Sequence, residues 1–346
     1  MPTLIVGPNW VGDMMMAHGL IQNIHGNRPD DRIHVLAPEW CLDVARRMPE
    51  VSGWISLPFA HGELNLKGRW AFAQALKAEQ YHRAFVLPNS FKSALIPWMA
   101  GIPRRIGWRG EWRQWLLTDC RVLVESRFPM MLDRYAALNY PKNLALSALQ
   151  LPSPTASPTL QVDPENQRTL QDRFGLDPAR LVVVCPGAEY GPAKAWPMER
   201  HAEVVHQLLL DGYQVALLGS ANDQEAGVTI TAGVPEGDRA NLKNVIGQTR
   251  LLDAIDLIGM SRAVLTHDSG LMHIAAAVGR PLVALYGPSS MEETPPLSQR
   301  AEMLTHAVPC QPCFQRTCPL GHQACLTELS VDRVMDAMTR ALGQVD

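Results

Sequence analysis

Residues 4–20 read LIVGPNWVGDMMMAHGL: an apolar run, a loop bounded by Gly7 and Gly12, and the start of a helical pattern. A glycine-bounded loop between a strand and a helix is the layout of a phosphate-binding turn, because backbone N–H groups at a helix start face the anion. Such a turn carries a lysine after its second glycine, whereas this chain has Asp13. The stretch therefore predicts the first strand and helix of an α/β domain, and it leaves the acid at this position to be explained.

The same alternation continues along the chain. Apolar strands are predicted at RIHVLAP (32–38), RAFVLPN (83–89), LVVVCPG (181–187) and three later stretches, with helical patterns between them. Strands that alternate with helices predict parallel sheets flanked by helices. The predicted fold class is α/β, with two Rossmann-like domains and a ligand cleft between them at the carboxyl ends of the strands.

A proline-rich stretch, LPSPTASPTLQVDP (151–164), interrupts the pattern. Its prolines, Pro152, Pro154, Pro158 and Pro164, cannot lie inside a helix or a central strand. We therefore expect an N-terminal domain over residues 1–155, a linker region over 156–178 and a C-terminal domain over 179–330. The last helix, in residues 331–346, is expected to pack back across the linker.

Composition excludes several classes of protein. The chain has 346 residues and a net charge of −3, which does not favour a nucleic-acid binder held by overall positive charge. It begins directly with a strand-like run, without the features of a secretory signal, and has no apolar run long enough to span a bilayer. We therefore expect a soluble cytoplasmic protein.

Four loops of the C-terminal half follow predicted strands, so the polar residues in them are expected to meet at one sheet edge. PGAEYGPAKAWP (186–197) delivers Lys194 just before a helix, which suits phosphate oxygens, although a solvated loop lysine is the alternative. GSANDQEAG (219–227) carries Asp223 and Glu225, which could hold ribose hydroxyls or simply cap a helix. THDSGLMHIAAA (266–277) opens a helix at Asp268, with the same two readings, and YGPSS (286–290) ends another strand.

Three common motifs are missing from the sequence. GPNWVG lacks the spacing of a dinucleotide fingerprint, no Walker lysine follows Gly12, and no G-x-S-x-G elbow is present. The simplest dehydrogenase, ATPase and hydrolase interpretations therefore lose their main support.

Six segments together resemble one family: GPNWVGDMMM, LPNSFKSAL, GIPRRIGWRGE, PGAEYGPAKAWP, DSGLMHIAAA and PLVALYGPSS. In this order and spacing they are similar to the ADP-heptose:lipopolysaccharide heptosyltransferases, from residue 1 to about residue 300. The resemblance implies a GT-B fold with the donor mainly on the C-terminal domain and the acceptor on the N-terminal one. It also implies transfer of L-glycero-D-manno-heptose from ADP-heptose to the first heptose of the Kdo-lipid A inner core, with inversion. Another nucleotide-sugar transferase of the same fold, or a nucleotide-binding protein without catalysis, remains an alternative.

The resemblance assigns a role to the acid in the first loop. Inverting transfer needs a base that takes the proton of the acceptor hydroxyl, and Asp13 is the candidate, placed by the Gly12 turn at a helix start that favours its ionised form. A helix cap is the alternative role for Asp13. Lys194 is the candidate for stabilising the charge on the departing ADP.

The expected binding residues form two sets. The donor set consists of Gly12, Glu189, Tyr190, Lys194, Ser220, Asp223, Glu225, Asp268, Ser269, Gly270 and His273. The acceptor set consists of Asn89, Ser90, Lys92, Arg105 and Arg109. No D-x-D motif is present, and we expect neither an obligatory metal nor another cofactor.

The segment IPRRIGWRGEWRQW (102–115) interleaves arginines with tryptophans. Arginine suits phosphate groups and tryptophan suits a lipid–water boundary, so the segment could hold the N-terminal domain against the inner face of the cytoplasmic membrane. Alternatively, its tryptophans simply pack on the domain. We expect a monomer with this membrane-surface contact, ADP-heptose and the lipopolysaccharide acceptor as partners, and no nucleic acid.

Four of the seven cysteines lie close together near the C-terminus: Cys310, Cys313, Cys318 and Cys325. The first pair has zinc-like spacing, and four thiolates can build a closed structural metal site. The later spacings are looser, so a disulfide, an iron–sulfur cluster or reduced thiols are alternatives.

Overall fold

The computed structural model describes residues 1–60, 62–142, 151 and 155–344. The chain divides into two compact units, Met1–Pro158 and Thr159–Asp346. Each unit contains one six-stranded parallel sheet with the strand order of a Rossmann domain. The predicted α/β class with two Rossmann-like domains is confirmed.

The sheet of the first unit is ordered β3-β2-β1-β4-β5-β6. Its strands are β1 (Thr3–Val6), β2 (Ile33–Ala37), β3 (Val51–Ser56), β4 (Arg83–Val86), β5 (Arg104–Trp108) and β6 (Asp119–Arg121). Its helices are α1 (Val11–Asn27), α2 (Glu39–Ala45), α3 (Leu66–Leu76), α4 (Phe91–Met99) and α5 (Met131–Ala136). Short 3₁₀ turns lie at Lys77–Glu79, Arg113–Trp115, Glu125–Arg127 and Ala137–Asn139.

The sheet of the second unit is ordered β12-β11-β10-β7-β8-β9. Its strands are β7 (Leu181–Cys185), β8 (Gln214–Leu217), β9 (Leu242–Asn244), β10 (Ala263–His267), β11 (Leu282–Leu285) and β12 (Ala301–Leu304). Its helices are α6 (Pro164–Phe174), α7 (Met198–Leu210), α8 (Gln224–Gly233), α9 (Leu251–Met260), α10 (Gly270–Ala277), α11 (Ala324–Thr327) and α12 (Val331–Leu342). Short 3₁₀ turns lie at Pro192–Lys194, Ala221–Asp223 and Glu236–Asn241.

The central strands are apolar because helices cover both faces of each sheet. Every residue of β1, β7 and β10 is buried, as expected for central parallel strands. Gly7 follows β1 at a point where a Cβ atom would lie 2.7 Å from Cε of Met14 and 3.3 Å from Cβ of Ala37, so a larger residue would require the flexible Met14 side chain to move. The first glycine of the turn predicted from the sequence therefore lies at a closely packed point.

The expected domain bounds stay a prediction, and within the expected linker region 156–178 the structure has the helix α6. Pro164 stands at the first turn of α6, where its missing N–H costs nothing, and the Asp163 side chain accepts from Glu165 N and Asn166 N. Asn166 Nδ2 then donates to Asp256 of α9 at 2.8 Å, which ties α6 to the second unit. Two of the four linker prolines, Pro152 and Pro154, lie outside the described residues.

The last helix, α12, packs on β10, β11, β12 and α7 of the second unit. Its buried face includes Val334, Met338 and Leu342. Packing across the linker stays a prediction, and residues 345 and 346 are outside the described part. No helix among the described residues is long and apolar enough to cross a membrane.

Candidate active-site loops

In both sheets the strand order reverses direction at one place, between β1 and β4 in the first unit and between β7 and β10 in the second. The connections on either side of such a switch point diverge, which leaves a crevice at the carboxyl ends of the two strands. Most of the predicted site residues follow one of these four strands, whereas Ser220, Asp223 and Glu225 follow β8, and Arg105 and Arg109 lie in or directly after β5. Each unit therefore presents its own candidate loops at its own switch point.

Lys194 and Asp268 meet at the switch point of the second unit. Lys194 Nζ donates to Asp268 Oδ2 at 2.5 Å and to the Asp268 carbonyl oxygen at 3.2 Å. The side chains are 15% and 6% exposed, so the ion pair is mostly shielded from water. Since an ammonium group has three N–H donors, this arrangement fixes the charge and leaves one donor direction for a ligand.

Tyr190 lies beside this ion pair. Its ring centroid is 5.0 Å from Lys194 Nζ and 5.2 Å from Cζ of Arg316, so two cations flank one aromatic ring. The Tyr190 hydroxyl donates to the carbonyl oxygen of Phe314 at 2.8 Å. Glu189, the neighbouring member of the predicted donor set, is exposed.

The third predicted loop starts α10 directly after β10. Ser269 is the N-cap residue and Gly270 the first helical residue, and the Ser269 side chain makes no capping hydrogen bond. His273, one turn into the helix, is buried, and burial lowers its pKa to about 4. Its Nδ1 atom and the Oγ atom of Ser289, in the loop after β11, are buried without a hydrogen-bond partner among the described residues. His273 lies in the helix after β10 and Ser289 in the loop after β11, and these two strands are adjacent in the sheet.

Asp223 and Glu225 have different surroundings. Asp223 Oδ2 accepts from Ser220 N and from Ser220 Oγ, both at 2.8 Å, in a reciprocal capping box. A Cβ atom on Gly187 would lie 2.7 Å from the Asp223 carboxylate, so this side chain points toward the end of β7. Glu225 is exposed in the first turn of α8. The capping alternative for Asp223 is therefore realised, and Asp223 also lies nearer the strand ends.

His267, the last residue of β10, connects the loops although the sequence did not single it out. Its Nε2 accepts from the backbone N–H of Trp196 at 3.0 Å, and its Nδ1 lies 3.2 Å from the carbonyl oxygen of Gly187. Burial lowers the pKa of His267 to about 4, so the ring is neutral near pH 7 and donates from Nδ1. It thereby ties both ends of the Lys194 loop to β10.

In the first unit, Gly12 and Asp13 lie in the first turn of α1, directly after β1. Both are half-buried. Burial raises the pKa of Tyr135 on α5, and the negative charge of Asp13 adds to the effect, which puts the carboxylate near that ring. The acid therefore stands at the switch point of the first sheet.

The loop after β4 holds three residues of the predicted acceptor set. Ser90 is the N-cap residue of α4, Asn89 before it is exposed, and Lys92 in the first helical turn is half-buried. Asn89 is held by its neighbours: its Oδ1 accepts from Arg113 Nη2 at 2.9 Å and its carbonyl oxygen accepts from Glu111 N at 3.0 Å. Because β4 pairs with β1, this loop lies at the same edge of the sheet as the turn that carries Asp13.

The arginine–tryptophan segment forms a strand and a buried anchor, which the sequence did not predict. Trp108 ends β5 and is buried, with Nε1 donating to the Arg134 carbonyl oxygen. Arg113 is fully buried and donates to the carbonyl oxygens of Trp108 and Pro88. Of the predicted acceptor arginines, Arg105 donates to the carbonyl oxygens of Leu116 and Ile102, whereas Arg109 is exposed.

Two other tryptophans of the same segment are exposed to solvent rather than buried. Trp112 and Trp115 are 81% and 82% exposed, far more than the tryptophans elsewhere in the described chain. Of the three tryptophans in this segment, only Trp108 packs in the domain as the alternative expected. The rings of Trp112 and Trp115 form an exposed aromatic surface.

The four C-terminal cysteines line one cavity of the second unit, together with Ala193 and His322. All are free thiols, and Cys318 Sγ accepts from the backbone N–H of Gln323 at 3.3 Å. This hydrogen bond, with others from the preceding backbone amides, lowers the pKa of the Cys318 thiol. Among the residues that the structure describes, no group of three or more His, Cys, Asp or Glu side chains is arranged so that it could hold a metal ion as it stands.

Comparisons with known proteins agree with one another. The family model of glycosyltransferase family 9 (heptosyltransferase) matches residues 69–324. Lipopolysaccharide heptosyltransferase 2 of Escherichia coli (strain K12) is 44% identical over 345 residues, or 99% of each chain. Lipooligosaccharide heptosyltransferase 2 of Haemophilus influenzae is 46% identical over 309 residues, or 88% of each chain. The solved structure of the E. coli ADP-heptose lps heptosyltransferase II superposes with a TM-score of 0.90 at 43% identity, covering 99% of each chain.

Proposed function

The chain belongs to glycosyltransferase family 9, the heptosyltransferases, and we propose that it transfers heptose from ADP-heptose to the inner core of lipopolysaccharide. It is a glycosyltransferase of the GT-B fold, and its motifs resemble those of heptosyltransferase II. The relatives at 44% and 46% identity carry the number 2 in their names, which supports the first heptose of heptosyl-Kdo-lipid A as the acceptor.

The main support for ADP-heptose binding by the second unit is the fixed ammonium group of Lys194. The Asp268 carboxylate holds it at 2.5 Å, directly before the N-terminus of α10. When ADP leaves the heptose, negative charge develops on the diphosphate. A prearranged cation and a helix start aimed at that charge stabilise the transition state by several kcal/mol without moving. We propose that these groups do the work for which other transferases use a divalent ion held by a D-x-D motif.

The donor's nucleoside is proposed to lie along the loops after β7 and β8. The Asp223 carboxylate is turned toward the end of β7 by its capping box, whereas Glu225 is exposed. An acid at this place can accept hydrogen bonds from ribose hydroxyls. Asp223 is thus the better candidate of the two.

Asp13 is proposed as the base. The acceptor hydroxyl attacks the anomeric carbon of the heptose on the face opposite ADP, the C–O bond to ADP breaks, and the hydroxyl proton goes to an Asp13 carboxylate oxygen. The products are ADP, protonated Asp13 and a glycoside whose anomeric configuration is opposite to that of the donor. A carboxylate is a weak base toward an alcohol, so the proton moves late, when the attacking oxygen has become acidic.

The acceptor is a phosphorylated glycolipid, so we propose that the first unit also meets the lipid surface. Arg109 is exposed and suits phosphate oxygens, and Trp112 and Trp115 present aromatic rings suited to the lipid–water boundary. The protein would then work as a monomer on the cytoplasmic face of the inner membrane. Arg105 contributes by holding the backbone of this segment.

The test measures ADP release from ADP-heptose with a heptosyl-Kdo-lipid A acceptor. Asp13→Asn keeps the size and one acceptor oxygen of the side chain but removes the base, so kcat should fall by about 100-fold or more, while the affinity for ADP is unchanged. Asp332→Asn is the matched control, since Asp332 is likewise an acid in the first turn of a helix.

Three outcomes separate the candidates. Equal turnover in Asp13→Asn and the unmodified protein removes Asp13 from the chemistry. Turnover with a UDP-sugar or GDP-sugar but not with ADP-heptose points to another transferase of the same fold. Binding of ADP without any turnover points to a protein that only binds nucleotides.

A further inference from the structure

The cysteine segment, residues 310–325, has no role in the proposed reaction. Its four thiols come from different parts of the segment, yet they line the same cavity. A cluster of four thiols with no apolar or catalytic explanation calls for a ligand of its own.

One of these sulfurs is already surrounded as a thiolate would be. Gln323 N donates to Cys318 Sγ at 3.3 Å across a tight turn that contains Gly321 with φ of +72°. Backbone N–H groups that face a sulfur stabilise its charged form and orient it, as the outer hydrogen bonds of metal-bound ligands do. A buried core cysteine such as Cys185 has no such donors in the described chain and is fully buried instead.

We propose that Cys310, Cys313, Cys318 and Cys325 bind one thiophilic metal ion, with Zn²⁺ as the expected ion. Four thiolates form the closed tetrahedral set of a structural zinc site, and the C-x-x-C spacing of the first pair fits it. The four side chains line the cavity without converging on one point, so binding requires them to turn inward. Each thiol that binds loses its proton, and the ion replaces those protons.

The metal would hold the segment in the position that supports the donor loop. Gln323 Nε2, two residues before Cys325, donates to the carbonyl oxygens of Pro192 and Ala195 at 2.8 and 2.9 Å. The Arg316 carbonyl oxygen accepts from Ala193 N at 3.1 Å. These contacts flank Lys194 on both sides, so an ordered cysteine segment fixes the backbone that presents its ammonium group. This consequence rests on the proposed function, whereas metal binding itself does not.

The first experiment measures metal content and needs no substrate. The full chain, made without a metal-binding tag and kept reduced, should contain about one zinc ion per chain by inductively coupled plasma mass spectrometry. Cys313→Ser and Cys318→Ser should lose it. Cys120→Ser should keep it, because Cys120 is a half-buried cysteine of the first unit.

A measurement on the unmodified protein guards against variants that fail to fold. After removal of metal with a chelator, added Co²⁺ should give the visible spectrum of a tetrahedral thiolate site, and added Zn²⁺ should abolish that spectrum. Iron bound by the same four thiolates would give its own charge-transfer colour and would replace zinc as the ion. The proposal is overturned if the reduced protein neither contains a metal nor takes up Zn²⁺ or Co²⁺, or if the four sulfurs are found as disulfides.

The supporting role is tested separately with ADP-heptose. Metal-free protein that remains folded should have a KM for the donor raised about tenfold, with the KM for the acceptor unchanged. Loss of metal without a change in donor KM would overturn the support of the Lys194 loop and leave metal binding intact. If the unmodified protein contains its metal but does not turn over ADP-heptose, the result counts against the proposed reaction and not against metal binding.

Discussion

Replacing Lys194 by methionine tests the donor site most directly, because methionine keeps the length and apolar stem of the side chain and removes only the ammonium group. The structure predicts two separate losses. Asp268, 6% exposed, would lose its partner at 2.5 Å, and the developing charge on ADP would lose a fixed cation.

The two losses have different sizes. Breaking a fully buried ion pair costs about 3–5 kcal/mol and breaking an exposed one less than about 1 kcal/mol. Lys194 is 15% exposed and Asp268 lies next to a helix N-terminus that also stabilises its charge, so we expect a loss of about 1–3 kcal/mol in the free energy of unfolding. Removing one donor to a developing anion lowers kcat by about 100-fold to 1,000-fold, equivalent to about 2.7–4 kcal/mol.

The assay combines urea unfolding with ADP release on Lys194→Met, Asp268→Asn and the double variant. The two single changes remove the same ion pair, so the double variant should be more stable than the sum of the single effects predicts, by about 1 kcal/mol or more. Arg180→Met is the control, since Arg180 pairs with Asp177 on an exposed surface of the same unit. Turnover of Lys194→Met within threefold of the unmodified protein, or strictly additive stabilities, would refute the reasoning.

Three further predictions concern pH, packing and the lipid surface. Burial lowers the pKa of His267 and of His273 from 6.5 to about 4. The unfolded chain therefore binds more protons between these values, and stability should fall as the pH drops from 6.5 toward 4, by up to about 2 kcal/mol per histidine at pH 5 in urea unfolding. Gly187→Ala puts a methyl group 2.7 Å from the Asp223 carboxylate and should weaken ADP binding about tenfold or more in calorimetry. Trp112→Ser with Trp115→Ser should weaken binding to anionic vesicles about tenfold while ADP affinity is kept.

Each of these has its own check. In the variant His273→Gln, the free energy of unfolding should depend less on pH between 6.5 and 4. An unchanged pH dependence would mean that the ring of His273 is already protonated or solvated in the folded protein. Gly237→Ala is the glycine control, because nothing lies within 4 Å of a Cβ atom there. Trp54→Ser is the tryptophan control, since Trp54 is exposed on β3 at the opposite edge of the same sheet, and equal loss of vesicle binding would refute a specific contact surface.

The sequence alone determined the class of fold and the loops that matter. The apolar run LVVVC and the largely apolar run AVLTH are typical of strands that are buried on both faces of a parallel sheet. Polar residues occur in the loops after such strands, so the position of Asp13, Lys194 and Asp268 after strands could be read from local pattern. The strands β3, β5, β6, β9 and β12 were not predicted. Of these, β6 and β9 have only three residues each, which is too few for a strand periodicity to be distinguished from a loop.

Only the tertiary structure decided what each polar side chain does there. Lys194 and Asp268 are 74 positions apart, and their pairing follows from the adjacency of β7 and β10 in the sheet. The same applies to Arg113, whose charge suggested a surface phosphate contact but whose donors are taken by backbone carbonyls in the interior, and to His267, which looks in sequence like any strand residue. Local pattern fixes which residues lie at the strand ends, because it depends on neighbours along the chain. The partner of a charge depends on which distant segment is packed against it, and that information exists only in the folded chain.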